Sequence, residues 1–127
     1  MTPSGKTNRP VSVNTDEEKT MTRYIFIESR DPFESRDTRF VEETAIAVKE
    51  RGHEVTIFLV QNGVLAARKN AARMDQLAAA GVTLLADDFS LRERGITPDE
   101  LAAGIQPSAI ETLVEAIVQT NTKAIWH

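Results

Sequence analysis

Leu84-Leu85-Ala86-Asp87-Asp88-Phe89-Ser90-Leu91-Arg92-Glu93-Arg94-Gly95-Ile96 passes from an apolar run into two adjacent carboxylates, then into a short amphipathic turn. The apolar part, taken over 82–86 and preceded by Gly81, has the length and content of a buried strand. The carboxylates open the loop at its carboxyl end, and aspartate is a preferred cap for a helix that starts there. In an α/β protein, loops leaving the carboxyl ends of strands are where ligands bind.

Two further strand-to-helix units precede this one. Tyr24-Ile25-Phe26-Ile27 is a continuous β-prone run, the pattern of a strand covered on both faces. Pro32 in the following loop delays the next helix, expected over 37–51 and closed by Gly52. Phe40, Val41, Thr44, Ala45, Ala47 and Val48 form its apolar side. Val55-Thr56-Ile57-Phe58-Leu59-Val60 is the strongest strand in the chain. Asn62-Gly63 could turn a hairpin, but 64–80 lacks strand alternation. Its Ala, Leu, Arg, Lys and Met content favours one helix.

Beyond Ile96, Thr97-Pro98-Asp99-Glu100 is a capping box with proline at the first helical position. Gly104 and Pro107 keep that helix short. A weak strand signal lies near 103–105, and Ser108-Ala109-Ile110-Glu111 reads as a second capping box. Ile110, Leu113, Val114, Ile117 and Val118 then repeat at helical spacing, and Lys123-Ala124-Ile125-Trp126 reads as a last strand. Strands alternating with helices over short connections imply right-handed crossovers. The expected fold is α/β, three layers deep (α/β/α, flavodoxin-like layering), with a mainly parallel sheet of four or five strands.

Composition narrows the function. The 127 residues carry 15 basic and 19 acidic side chains, a net charge of −4, with no basic run to track phosphates. Nucleic acid and membrane are therefore not expected partners. Cysteine is absent and only His53 and His127 offer imidazole, so no metal or other cofactor is expected. Residues 1–21 hold Val11, Val13 and two methionines as their large apolar groups. They are expected to be a flexible tail, a start-site extension before a single domain at 22–127. No secretory or transit signal is visible, which makes the cytoplasm the expected compartment.

The loops after the first three strands should open on one edge. They carry Ser29, Arg30 and Asp31, then Gln61, Asn62 and Gly63, then Asp87, Asp88, Ser90 and Arg94. Helices beginning there would aim backbone N–H groups at a small anion, so these residues form the candidate pocket. Individually each has a plainer role. Asp87 or Asp88 suits a helix cap, Ser90 has no identifiable base, and Arg94 suits a surface ion pair. His53 belongs to a solvated turn at the opposite edge. No catalytic residue is assigned.

From Arg23 onward, the order of features resembles the DsrE/DsrF/TusD-like sulfur-relay family. The resemblance rests on the acidic-Pro loop, Arg51-Gly52-His53-Glu54-Val55 leading into strand two, and Asn62-Gly63-Val64. It continues through Gly81-Val82, Arg94-Gly95-Ile96 and the final hydrophobic strand. It implies a small α/β/α protein that forms oligomers. It also implies a persulfide-carrying cysteine eight residues before the glycine of Arg-Gly-Ile. That position is Asp87 here, and Ser90 stands where some members have a second cysteine. The expectation is a non-catalytic binding or assembly subunit, homo-oligomeric, with a protein partner or a small anionic ligand. The alternatives are an enzyme using Asp87 and Asp88 as acid and base on a small anionic substrate, and a nucleotide- or flavin-binding flavodoxin-like module.

Overall fold

The strongest apolar run becomes the middle of a sheet. The strands are β1 (Arg23–Glu28), β2 (Glu54–Leu59), β3 (Thr83–Asp87), β4 (Ile105–Ser108) and β5 (Thr122–Trp126), in the order β4-β3-β2-β1-β5. All four pairings are parallel, with Phe26 opposite Ile57 and Leu84 opposite Ile57 on its other side. The structure, a computed structural model, describes residues 22–70 and 74–127. The expected tail over 1–21 lies outside the described residues.

Among the described residues four α-helices connect the strands: α1 (Asp37–Glu50), α2 (Met74–Ala79), α3 (Asp88–Glu93) and α4 (Ile110–Ile117). Phe26, Ile57, Leu59, Leu84 and Ala86 line one face of the sheet. They pack with Val41 and Ala45 of α1, Met74 and Leu77 of α2, and Leu91 of α3. The other face presents Ile25, Ile27, Phe58 and Val60, with Leu113 and Ala116 of α4 against them. The three-layer expectation holds, and the layers are unequal.

Several local expectations differ from the structure. The segment read as one helix over 64–80 is a 3₁₀ helix (Gln61–Ala67), an extended stretch at Arg68, and then α2. Tertiary pairing overrides propensity there. Arg68 bridges Leu101, Lys69 N–H donates to Glu100 O, and Ala102 N–H donates to Ala67 O. The weak fifth strand is real but lies later, at Ile105–Ser108. Ser108 is spent as its last residue, so α4 starts from Ala109 with no side-chain cap. Thr97 does cap its turn, a 3₁₀ helix over Pro98–Glu100, where the Glu100 carboxylate accepts from Thr97 N–H at 2.8 Å. Phe40, expected on the inner side of α1, is 69% exposed. His53 is half-buried, its Nδ1 accepting from Thr22 N–H (3.2 Å) and its ring edge-on to Tyr24.

The stripe on α4 splits between two faces. Leu113 is buried, while Ile110, Val114, Ile117 and Val118 are exposed. β5, at the sheet edge, exposes Ile125 and Trp126 as well. Among the described residues no helix is long and apolar enough to cross a membrane.

Candidate functional site

The connections after β1, β2 and β3 run over one face and the connection after β4 over the other. The connections leaving the carboxyl ends of β3 and β4 therefore part to opposite faces, the position at which open α/β sheets form crevices. Asp87, the last residue of β3, pairs there with Ser108. It caps α3, and its Oδ2 accepts from Ser90 N–H (3.0 Å) and Ser90 Oγ–H (2.6 Å). Asp87 and Ser90 are both buried, and Asp87 Oδ1 has no hydrogen-bond partner among the described residues. The Ser90 hydroxyl also accepts from Gln61 N–H at 2.9 Å. That bond holds Gln61 at φ 51°, a left-handed conformation costing a non-glycine residue roughly 1–2 kcal/mol.

Arg94 completes this group. Its guanidinium donates to Asn62 Oδ1 (3.2 and 2.9 Å) and to Ser90 O (3.1 Å). The expected surface ion pair is thus replaced by hydrogen bonds that tie the loop after β2 to α3. Asp88 is turned away from Asp87 in role: it is partly exposed and pairs with Arg92 at 3.7 Å, one helical turn on. Backbone donors that an anion would use are already engaged, Gln61 N–H by Ser90 and Ser90 N–H by Asp87.

Ser29, Arg30 and Asp31 form a separate group with two residues not assigned to the site from sequence, Glu28 and His127. Glu28 is buried at the end of β1. Both its carboxylate oxygens lie 2.9 Å from His127 Nδ1, and Oε2 accepts from Arg30 N–H at 2.9 Å. His127 O accepts from Ser29 N–H and from Ser29 Oγ–H, while His127 N–H donates to Ile27 O. Arg30 itself reaches Asp37 at 3.8 Å in an exposed pair. Asp31 folds its own loop, accepting from Phe33 N–H at 2.8 Å. The sequence signal for the Glu28–His127 pair was slight, because the two lie 99 residues apart.

Gly63 joins the two groups. A Cβ there would stand 2.1 Å from Glu28 O, so only glycine lets the 3₁₀ helix seat against the end of β1. Beside Glu28 is a small pocket of about 10 Å³, the size of one water, lined also by Arg30, Thr38, Glu42 and Met74. No group of three or more His, Cys, Asp or Glu side chains that could hold a metal occurs among the described residues.

Comparison with known proteins agrees with the fold. The model of the DsrE/DsrF-like family matches residues 22–123. Among solved structures, the ychN protein from E. coli superposes with a TM-score of 0.76 at 17% identity, covering 84% of this chain and 100% of that one. MTH1491 from Methanobacterium thermoautotrophicum, a protein of unknown function, gives a TM-score of 0.71 at 18% identity, covering 84% and 99%. No curated protein matches the sequence.

Proposed function

This chain belongs to the DsrE/DsrF-like family, and we propose that within it the chain serves as a binding or assembly subunit of a homo-oligomer, non-catalytic in sulfur transfer. With no cysteine in 127 residues, it has no thiol on which to carry a persulfide. At the position where the resemblance puts that thiol, the Asp87 carboxylate is occupied in capping α3.

The observation that carries the proposal is the uncovered apolar face. Ile110, Val114, Ile117 and Val118 follow one outward stripe of α4, and Val118 is 77% exposed. The apolar stripe is wider than the part the sheet covers, and contiguous exposed apolar surface marks an interaction site. A second copy of the chain is the occupant we assign, since one self-complementary patch closes a symmetric assembly. The small anionic ligand, if carried at the carboxyl edge, would be met by the guanidinium groups of Arg30 and Arg94 rather than by backbone donors. We place the subunit in the cytoplasm.

Sedimentation velocity at micromolar concentration tests the reading. The wild type is expected to sediment as a multimer, and Val118→Glu as a monomer with its fold intact. Wild-type protein that is monomeric across that range overturns the assignment.

A further inference from the structure

Glu28 and His127 have no part in the assembly described above, and their geometry is that of an oriented base. The Glu28 carboxylate is only 7% exposed, and a buried carboxylate is costly unless its oxygens are engaged. Here Arg30 N–H supplies one donor and His127 Nδ1 the other. A carboxylate can only accept, so the ring nitrogen facing it must carry the proton. In the neutral imidazole that leaves Nε2 with a free lone pair. Nε2 makes no hydrogen bond to any described residue, and the ring is 21% exposed at the carboxyl edge of β1 and β5.

The ring is also held at its root. His127 is bonded through its N–H to Ile27 and through its oxygen to Ser29 N–H and Ser29 Oγ–H. Position and tautomer are therefore both set before any ligand arrives, which is what distinguishes a poised base from a surface histidine.

We infer that His127 Nε2 is a proton-accepting site for an O–H group, of water or of a small alcohol, with Glu28 as its positioning residue. With water as the donor and an activated ester as the acceptor, the step balances without a co-reactant. The water oxygen bonds to the acyl carbon as its proton passes to Nε2. Glu28 accepts the Nδ1–H of the imidazolium so formed. The tetrahedral intermediate then expels its alkoxide or phenoxide, the transferred proton is released to the leaving group or solvent, and acid and alcohol are the products. This site lies two to three strands from Asp87 and is independent of the assembly proposed above.

Hydrolysis of p-nitrophenyl acetate by the full chain provides the probe. The wild type should exceed an equal concentration of a blocked histidine peptide by at least tenfold. His127→Asn keeps a donor near Glu28 but removes the Nε2 lone pair, and should lose that excess with its melting temperature preserved. His53→Gln should retain it. Nitrogen NMR of the ring should find the proton on Nδ1 in the wild type and a redistributed proton in Glu28→Gln, a readout that a merely structural clip would not link to the hydrolysis rate. A wild-type rate no greater than the peptide's, a His127→Asn rate equal to wild type, or a ring protonated on Nε2 would each overturn the inference.

Discussion

Substituting alanine at Gly63 should unseat the loop after β2 from the end of β1. The added Cβ would stand 2.1 Å from Glu28 O and 2.9 Å from Glu28 C, so relief must come from the backbone. Glu28 O is the acceptor for Val60 N–H at 3.0 Å, and moving either strand end by about 1 Å stretches that bond beyond use. Overpacking costs roughly 1–3 kcal/mol, and a buried polar group left without its partner roughly 1–3 kcal/mol. Alanine stiffens the unfolded chain and returns about 0.4–1 kcal/mol. The expected net loss is about 3 kcal/mol, or roughly 10 °C in melting temperature for a domain of this size. Gly95→Ala is the control. Nothing lies within 4 Å of its Cβ, but its φ of +67° strains any other residue, at about 1 kcal/mol. Urea unfolding followed by circular dichroism measures both. If Gly63→Ala costs no more than Gly95→Ala, the close approach to Glu28 is not what the glycine is for.

Two other expectations follow from the core and from a surface turn. Phe58 is 1% exposed on the middle strand, so Phe58→Ala should cost about 3–5 kcal/mol in the same assay, and a loss under about 1 kcal/mol would refute the sheet order. The Thr97 hydroxyl, donating at 2.5 Å, holds the Asp99 carboxyl below the usual aspartate range, with its own backbone N–H and Lys69 assisting. A lowered pKa means the ionised form favours the folded turn. That contribution is present above the ordinary aspartate value and is lost as pH falls through the lowered one. In Thr97→Ala the NMR titration of Asp99 should move up in pH, and an unchanged titration would contradict this cause.

The fold was legible because strand and helix signals alternate without ambiguity at Tyr24-Ile25-Phe26-Ile27, at Val55 to Val60 and at Leu84-Leu85-Ala86. Burial of those runs on both faces then follows from hydrophobic content alone. Local pattern failed where long-range pairing decided the outcome. The alanine-rich stretch after Gly63 has helical propensity throughout, yet Arg68 leaves the helix to bridge Leu101, a residue that no local window includes. On α4 the sequence reveals an apolar stripe but not which part of it the sheet covers. At the candidate site, Asp87 as a cap and the closeness of Asn62, Ser90 and Arg94 could be read from strand order. Glu28 could not, since a glutamate ending a strand looks solvated until a histidine from the far end of the chain is laid beside it.

β5 is the strand with least to hold it. Among the described residues it pairs only with β1, and four of its five residues are exposed. Amide hydrogens in Thr122–Trp126 should exchange with solvent through a local opening well below the global unfolding energy. The clip from His127 to Ile27, Ser29 and Glu28 closes the far end of that opening. When it parts, both faces of Ile125 and Trp126 and the outer edge of β1 are uncovered together, and a bare edge of that kind pairs readily with other chains. Covering the apolar face in an assembly would then protect the subunit against disorderly association as well as hold it in place.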